Sequence, residues 1–367
     1  MQDNQAAVTT RELSHSPVPA VSTSYLSMGN THMPYPLGKL PADHLIQLLT
    51  RHAPRDDRVI VGPGIGRDAA VISFGDRYLV AKSDPVTFVT SDVGWYAVHV
   101  NANDIACMGA TARWFLATLL LPEARTEAAE VDEIFRQITD ACADLGIELV
   151  GGHTEITHGL DHPLVVGSML GEVAPEDLVY PGDARPGDVL ILTKGIAVEG
   201  TAIIARERSA ALDGLDEAFL ARCREFLHDP GISVVRDAAI ATSAGKVHAM
   251  HDPTEGGLAT GLRELAQAAG YGLEVQESDI PILPETQLLC ERLKLDPLGL
   301  IASGSLLMAV APDDSEAIQG ALTSAGIASA RIGRIVEDAD RTVMCHDSLG
   351  ERPLPEFARD EIARLFD

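Results

Sequence analysis

Long apolar runs are missing from this chain. The longest candidate, Trp114 to Pro122, has the length of a strand, far below the roughly 18–20 apolar residues of a membrane span. The opening segment is polar, with no basic start and no apolar centre. It shows no signal-peptide pattern, and a cytoplasmic protein is expected. Positive charge is scarce too: 28 basic residues face 54 acidic ones, a net charge of −26. That imbalance argues against a nucleic-acid backbone or a membrane surface as partner. A phosphorylated small ligand stays open, because a divalent cation inverts the local sign. Lysine is rarer still, 5 residues against 23 arginines, which we read as genome composition or salt adaptation. The 5 cysteines, Cys107, Cys142, Cys223, Cys290 and Cys345, are scattered and never form Cys-x-x-Cys. They point to reduced, buried thiols rather than a disulfide framework or a zinc site.

The stretch Gly62-Pro63-Gly64-Ile65-Gly66-Arg67-Asp68-Ala69-Ala70-Val71-Ile72 is glycine-rich, then acidic, then apolar. It is not a Walker loop, since no Gly-Lys-Ser/Thr follows at the required spacing. Nor is it a Rossmann fingerprint, because it opens a strand and not a helix. The chain has no Gly-x-Ser-x-Gly elbow and no fixed-period repeat. What the stretch offers is a backbone whose N–H groups can face an anion, with Asp68 where loop becomes strand. A carboxylate beside a phosphate-sized cradle calls for a cation between them. The alternative is a tight turn leading into a strand.

The length of 367 residues suits two or three domains with ample core. Residues 1–36, rich in proline and small polar residues, read as a disordered tail. An N-terminal domain is expected over 37–180. The turn formers of 180–188 mark a boundary, a second domain runs over 181–345, and 346–367 read as a helical tail. Periodicity predicts helices over 42–51 and 93–108, the second capped by Ser91 or Asp92, and an acidic helix to Leu145 capped by Thr126. Strands are predicted over 69–74, 78–81, 113–121, 147–150, 164–173, 189–193, 247–250, 273–276 and 305–311. Later helices are predicted over 199–207, 216–226, 233–243, from Gly256-Gly257 to about Ala268, over 313–325 and over 355–366. An α/β fold follows.

Acidic residues gather at the ends of these elements. Asp84 precedes Pro85 at a predicted strand end, a position for ligand groups or for a turn carboxylate bonded to its own backbone. Asp104 lies late in its helix, against the negative end of the dipole, which a cation or full solvation would answer. Gly151-Gly152-His153-Thr154-Glu155 is a second glycine-rich strand end; His153 is either functional or a hydrogen-bonded structural histidine. Asp252 opens Asp252-Pro253-Thr254-Glu255-Gly256-Gly257 at a helix start, where an anion can sit. Magnesium is commonly shared between carboxylates and phosphates, and phosphoryl transfer needs positioning and charge neutralisation. Lys39, Lys82 or Lys194 would steady phosphate oxygens.

In this order the motifs resemble the AIR synthase (PurM-like) superfamily. It includes aminoimidazole ribonucleotide synthetase, thiamine-monophosphate kinase, selenophosphate synthetase and the hydrogenase maturation protein HypE. The carriers are Gly66-Arg67-Asp68-Ala69-Ala70-Val71, Ser83-Asp84-Pro85, Asn103-Asp104 through Gly109-Ala110, Gly151 through Glu155, Asp252 through Ala259, and Asp296-Pro297-Leu298 with Ala302-Ser303-Gly304. Asp-Pro-Thr-x-Gly-Gly-Leu-Ala leans toward the HypE branch. The resemblance implies two α/β domains, the first lending strands to a dimeric β-barrel, with ATP and Mg2+ near that interface. It implies metal-associated acids at Asp68, Asp84 and Asp104, with Asp252 facing the phosphates. Asp84, Asp252 and His153 are the expected catalytic set. Gly64, Gly66, Lys39, Asp104, Gly151, Gly152, Thr154 and Lys194 are the expected ATP contacts.

The implied chemistry is ATP-dependent phosphorylation of an amide, carbonyl or similar oxygen, in hydrogenase or other metallocentre maturation. The acceptor is a small molecule or a partner protein. The HypE branch carries its substrate on a C-terminal cysteine, whereas this sequence ends Ala363-Arg364-Leu365-Phe366-Asp367. No cysteine precedes Cys107 to serve as the reactive residue of selenophosphate synthetase, and Arg67 stands where some members carry a second Asp. Two other readings are a non-catalytic nucleotide-binding maturation partner and a small-molecule kinase resembling thiamine-monophosphate kinase.

Overall fold

A computed structural model describes Tyr35, residues 38–346, Ser348 and residues 350–366. Apart from Tyr35 and Gly38 onward, the expected tail lies outside these residues. The first part of the described chain holds α1 (Ala42–Arg51), β1 (Val59–Val61), β2 (Ala70–Phe74), β3 (Arg77–Val86), α2 (Val93–Cys107), β4 (Thr111–Pro122), α3 (Ala128–Leu145), β5 (Glu148–Thr157) and β6 (Leu164–Val173). Its six strands form one open sheet in the order β1-β2-β3-β6-β4-β5. Only β4 and β5 run parallel, and β5 is an edge.

Two elements are longer than their sequence suggests, and both carry predicted site residues. β3 continues through Asp84 and Pro85, which face Gly167 and Val166 of β6, so Asp84 is inside a strand and not at a chain reversal. Proline is tolerated there because β2 stops pairing at Ala81, leaving Pro85 with a neighbour on one side only. β5 continues through Gly151–Glu155 after a bulge at Val150, where Phe115 faces Leu149 and Leu116 faces Gly151. The paired glycines that read as a strand end are part of this bulged strand. At Gly152, φ is +145°, and a Cβ would lie 1.9 Å from the Ala117 carbonyl oxygen, so close contact with β4 demands glycine.

The second part holds β7 (Val189–Thr193), α4 (Val198–Glu207), α5 (Glu217–Glu225), α6 (Val235–Ala244), β8 (Val247–His251), α7 (Gly257–Ala269), β9 (Gly272–Gln276), α8 (Pro284–Leu293), β10 (Leu307–Val310), α9 (Ser315–Ser324), β11 (Ser329–Val336), β12 (Thr342–His346) and β13 (Gly350–Pro353). Its sheet runs β13-β12-β9-β11-β7-β10-β8. β7 is apolar at successive positions because both faces are covered. Leu190 and Leu192 join Leu258, Leu262 and Leu265 of α7, while Ile191 joins Ala238, Ala241, Ile318 and Leu322 of α6 and α9. The helix expected over 355–366 is reduced to a 3-10 turn, Glu361–Leu365, and β13 precedes it.

α2 is the hub. It touches β3, β6 and α3 in the first part and α6 and β8 in the second, and it is buried almost all round, as a helix enclosed by neighbours must be. Neither expected cap holds it. Asp92 pairs with Arg206, and the Ser91 hydroxyl bonds Glu207, both on α4. Thr126 likewise turns its hydroxyl to the Pro122 carbonyl and does not cap α3.

Candidate functional site

Where α2 ends beside β3 and β8, four carboxylates and one ammonium come together. Lys82 Nζ lies 3.2 Å from Asp84 Oδ2 and 3.2 Å from Asp104 Oδ2. Asp84 is held through its backbone: its N–H donates to Asn101 Oδ1 at 2.9 Å, and Asn101 Nδ2 donates back to its carbonyl at 3.3 Å. Asp104 is 4% exposed, so it is not a solvated surface acid; Lys82 answers its charge. From the other side come Asp68 and the end of β8. His251 bridges two carboxylates, Nδ1 at 2.7 Å from Asp68 Oδ1 and Nε2 at 2.9 Å from Glu264 Oε2. Asp252, 1% exposed, accepts from Cys107 Sγ at 3.7 Å.

The electrostatics follow from this crowding. Burial pushes the Asp252 carboxyl up to about 7, with the Asp68 charge adding to it. Asp104 is raised well above the carboxylate range, burial outweighing the pull of Lys82. Burial would lower the Lys82 ammonium, yet the charges of Asp104, Asp84, Asp68 and Asp252 prevail and raise it. Burial would likewise lower His251, but Asp68 and Glu264 hold it well above the ordinary imidazole value. Glu264 would rise on burial; the His251 hydrogen bond brings it down to about 2.

Asp68 Oδ2, Asp104 Oδ2 and Asp252 Oδ2 are buried with no hydrogen-bond partner among the described residues, Lys82 meeting Asp104 as an ion pair. Buried carboxylate oxygens without a donor are costly unless a cation meets them. Hard, oxygen-rich and anionic, the set fits a divalent cation such as Mg2+.

The other predicted residues divide. Lys39 comes close, Nζ lying 3.5 Å from Thr254 Oγ1 and 3.8 Å from Glu264 Oε1. Gly66 presses on α7: φ is +67°, and a Cβ there would stand 2.4 Å from the Glu264 carbonyl oxygen. Arg67 Nη1 folds back to the Gly62 carbonyl at 3.2 Å, with its side chain over Gly64. The loop is thus a wall between the halves as well as a turn. Lys194 is elsewhere, buried in the second half with Nζ donating to the Ser233 carbonyl at 2.5 Å and lying 3.3 Å from Asp237. Gly151, Gly152, His153 and Thr154 are on β5, separated from β3 by β4 and β6, about 14 Å at ordinary strand spacing. His153 is exposed, and Nε2 meets Glu155 at 3.3 Å.

Three residues of the cluster went unsuspected: His251, Glu264 and Cys107. His251 directly precedes Asp252, and Glu264 lies two helical turns beyond Gly257, on the same face of α7. Those spacings were legible. Cys107 had no partner in sequence and is brought in by the fold.

AIR synthase related protein, N-terminal domain, matches residues 66–173, and AIR synthase related protein, C-terminal domain, matches residues 185–346. The carbamoyl dehydratase HypE of Cupriavidus necator is 30% identical over 295 residues, 78% of this chain and 81% of that protein. Among solved structures, a chain of a HypE–HypF complex superposes with a TM-score of 0.70 at 20% identity, covering 85% of this chain and 99% of that one. Hydrogenase maturation protein HypE in complex with ATP superposes with a TM-score of 0.68 at 24% identity, over 89% and 97%. Both structural likenesses establish the two-domain PurM-like fold. With its two domain signatures in order and a 30% identical relative matched over most of both chains, this protein belongs to the AIR synthase related family.

Proposed function

We propose that this chain is an ATP- and Mg2+-dependent enzyme that phosphorylates an amide, carbonyl or similar oxygen, acting in the maturation of a hydrogenase or another metallocentre. The observation that carries it is the meeting of Asp68, Asp84 and Asp104 with Asp252 from the other half, three of them with donorless buried oxygens. Support comes from the relative named carbamoyl dehydratase HypE and the fold neighbour solved with ATP.

Asp68, Asp84, Asp104 and Asp252 would hold the metal, and Mg2+ when bound supplies charge neutralisation for phosphate oxygens. Lys82 bridges Asp84 and Asp104 until then. Lys39, on the exposed side of Thr254, is positioned to meet a phosphate oxygen. Asp252, buried beside Cys107, would complete the metal's carboxylate set from the second half. The N-terminal half, 37–180, carries the nucleotide, and 181–345 closes the site. In a homodimer joined along β5, Gly151, Gly152, His153 and Thr154 would reach the nucleotide of a second copy. A maturation partner protein delivers the acceptor; the existence of a HypE–HypF complex among the fold neighbours supports a protein partner.

The test is calorimetry of ATP binding with and without Mg2+, followed by ATP turnover. Asp84→Asn, whose side chain is 33% exposed, should abolish Mg2+-dependent binding while melting near the wild-type temperature. Absence of nucleotide binding by the wild-type chain would overturn the proposal. Binding without turnover, even with candidate acceptors, would point to a non-catalytic partner.

A further inference from the structure

We infer that Asp360 is a positioning residue of the nucleotide site. Its carboxylate fills the anion position at the start of α7 and fixes residues 253–256 there. The phosphates are then met from the Lys39 side and not by the helix start itself. The inference rests on the nucleotide reading given above and concerns how that site is built.

A helix start leaves backbone N–H groups unpaired and attracts negative charge. At α7 that charge comes from the chain itself, 104 residues further on. Asp360 Oδ2 accepts from the N–H of Gly256, the residue that caps α7, at 2.6 Å. Oδ1 accepts from the Ile301 N–H at 3.3 Å and the Ile362 N–H at 2.8 Å. Burial pushes the Asp360 carboxyl up to about 6, which still leaves it ionised at neutral pH, and bonds to an ionised acceptor are the strong ones. Thr254 shows what is being held. Its carbonyl accepts from the Gly257 N–H at 3.0 Å and the Ala302 N–H at 3.3 Å, and its hydroxyl lies 3.5 Å from Lys39 Nζ. Asp360 and Thr254 thus tie the same two stretches together, and one of those stretches sets where Lys39 stands.

The segment that carries Asp360 has anchors of its own. Arg263 of α7 donates to the carbonyls of Leu354 and Pro355. Glu361 Oε2 accepts from the Asp296 N–H at 2.9 Å, and Ile362 is fully buried. Further on, the Phe366 ring lies 6.2 Å from that of Phe88, with the Arg208 guanidinium over it. Phe88 stands two residues beyond the end of β3, the strand of Asp84. The segment is therefore a strap from the start of α7 to the end of β3, two walls of one site. With so many anchors, removing the Asp360 carboxylate frees the loop without freeing the strap.

Full-length Asp360→Ala and Asp360→Asn would be compared with Glu361→Ala, which removes an anchor of the same strap on the Asp296 side. Urea titration first fixes conditions in which every variant is fully folded. Calorimetry with Mg2+–ATP should show Asp360→Ala binding about tenfold more weakly, the weight of one charged hydrogen bond, and Glu361→Ala binding as wild type. Asp360→Asn keeps the shape but turns an amide donor on some of these N–H groups. It should lie between the two, and it serves alone if Asp360→Ala does not fold. In turnover, the loss should fall on KM for ATP with kcat nearly kept. Amide exchange across residues 253–257 should quicken about tenfold in Asp360→Ala and stay unchanged in Glu361→Ala. Tighter ATP binding by Asp360→Ala would mean that the carboxylate competes with a phosphate for the helix start, and would overturn the inference. Unchanged affinity, or an equal loss in Glu361→Ala, would reduce Asp360 to a structural anchor and overturn it as well. A wild type that ignores Mg2+–ATP would remove the nucleotide reading, and the exchange result would then judge by itself whether Asp360 fixes the loop.

Discussion

Asp68 and His251 meet at 2.7 Å from opposite halves of the fold. The imidazole is 7% exposed and has Glu264 on its other nitrogen at 2.9 Å. One cation thus joins a carboxylate at the start of the first sheet's β2 to another on α7.

This bridge sets a pH window. Glu264 is lowered to about 2 from an ordinary 4.5, so its contribution is complete above about pH 4.5 and is lost as pH falls toward 2. His251 is raised, so its contribution is complete below the ordinary 6.5 and is lost only as pH rises through its elevated value. His251→Gln breaks both pairs and leaves buried carboxylates behind, at a cost of about 3–5 kcal/mol. Urea midpoints across the acid range should show a large deficit near pH 6 and a flattened acid limb. An unchanged midpoint would mean that the bridge contributes no stability.

Lys82 makes a second prediction. Replacing it with Met leaves Asp84 and Asp104 facing one another without a cation. Carboxyls raised by burial, such as Asp252 at about 7, favour folding in their protonated form, so their folded-state stability falls as pH rises from 3.8 through 7. Lys82→Met should therefore be tolerated in mild acid and lose about 3–5 kcal/mol at slightly alkaline pH. Saturating Mg2+ should restore more of the melting temperature in the variant than in wild type. Equal Mg2+ stabilisation of both would count against a cation site among these acids.

Gly66 and Gly75 form a matched pair. Both have φ near +70°, but a Cβ at Gly66 would meet the Glu264 carbonyl oxygen at 2.4 Å, while nothing lies within 4 Å of one at Gly75. Gly75→Ala should cost only the left-handed conformation, about 1–2 kcal/mol. Gly66→Ala should cost about 2 kcal/mol more, because loop and α7 must separate. Equal losses by chemical denaturation would show that the loop does not press on α7.

Along β5, Val150 and Ile156 are 54% and 55% exposed on an edge that no other strand pairs among the described residues, a surface that invites pairing with another strand. Lysine at both positions should convert a dimer into a monomer in light scattering, with the melting temperature held within a few degrees. A wild-type monomer at working concentrations would remove the dimer proposal.

Much of this was legible in the sequence, for identifiable reasons. α3, β6 and β7 match their predicted spans closely because periodicity and flanking turns agreed. Asp68, Asp84 and Asp252 stand out in sequence beside glycine- and proline-rich element ends, and Asp104 by its place late in a helix, and the fold brings the four together. The errors came from reading local punctuation as termination. Pro85 ended a strand on paper, yet one-sided pairing lets β3 run on. Gly151-Gly152 ended another, yet a bulge and close contact with β4 explain them. Lys194 looked like a phosphate contact, but Asp237 and the Ser233 carbonyl claim its ammonium, partners far along the chain. Cys107 stands apart from the other cysteines in sequence, and only three-dimensional packing brings it to Asp252.

Asn101 and Asn103 stand two positions apart on α2 and so point to opposite sides of it. Asn101 grips the backbone of Asp84 in the first sheet. Asn103 donates to the Ile232 carbonyl and accepts from the Val234 N–H, both at 2.8 Å, in the second half. The helix is thereby fastened like an axle with a bearing at each side. Rolling the halves about α2 would tear one amide or the other from its backbone partners. Any rearrangement of the acidic cluster that keeps both amides paired must leave α2 where it is.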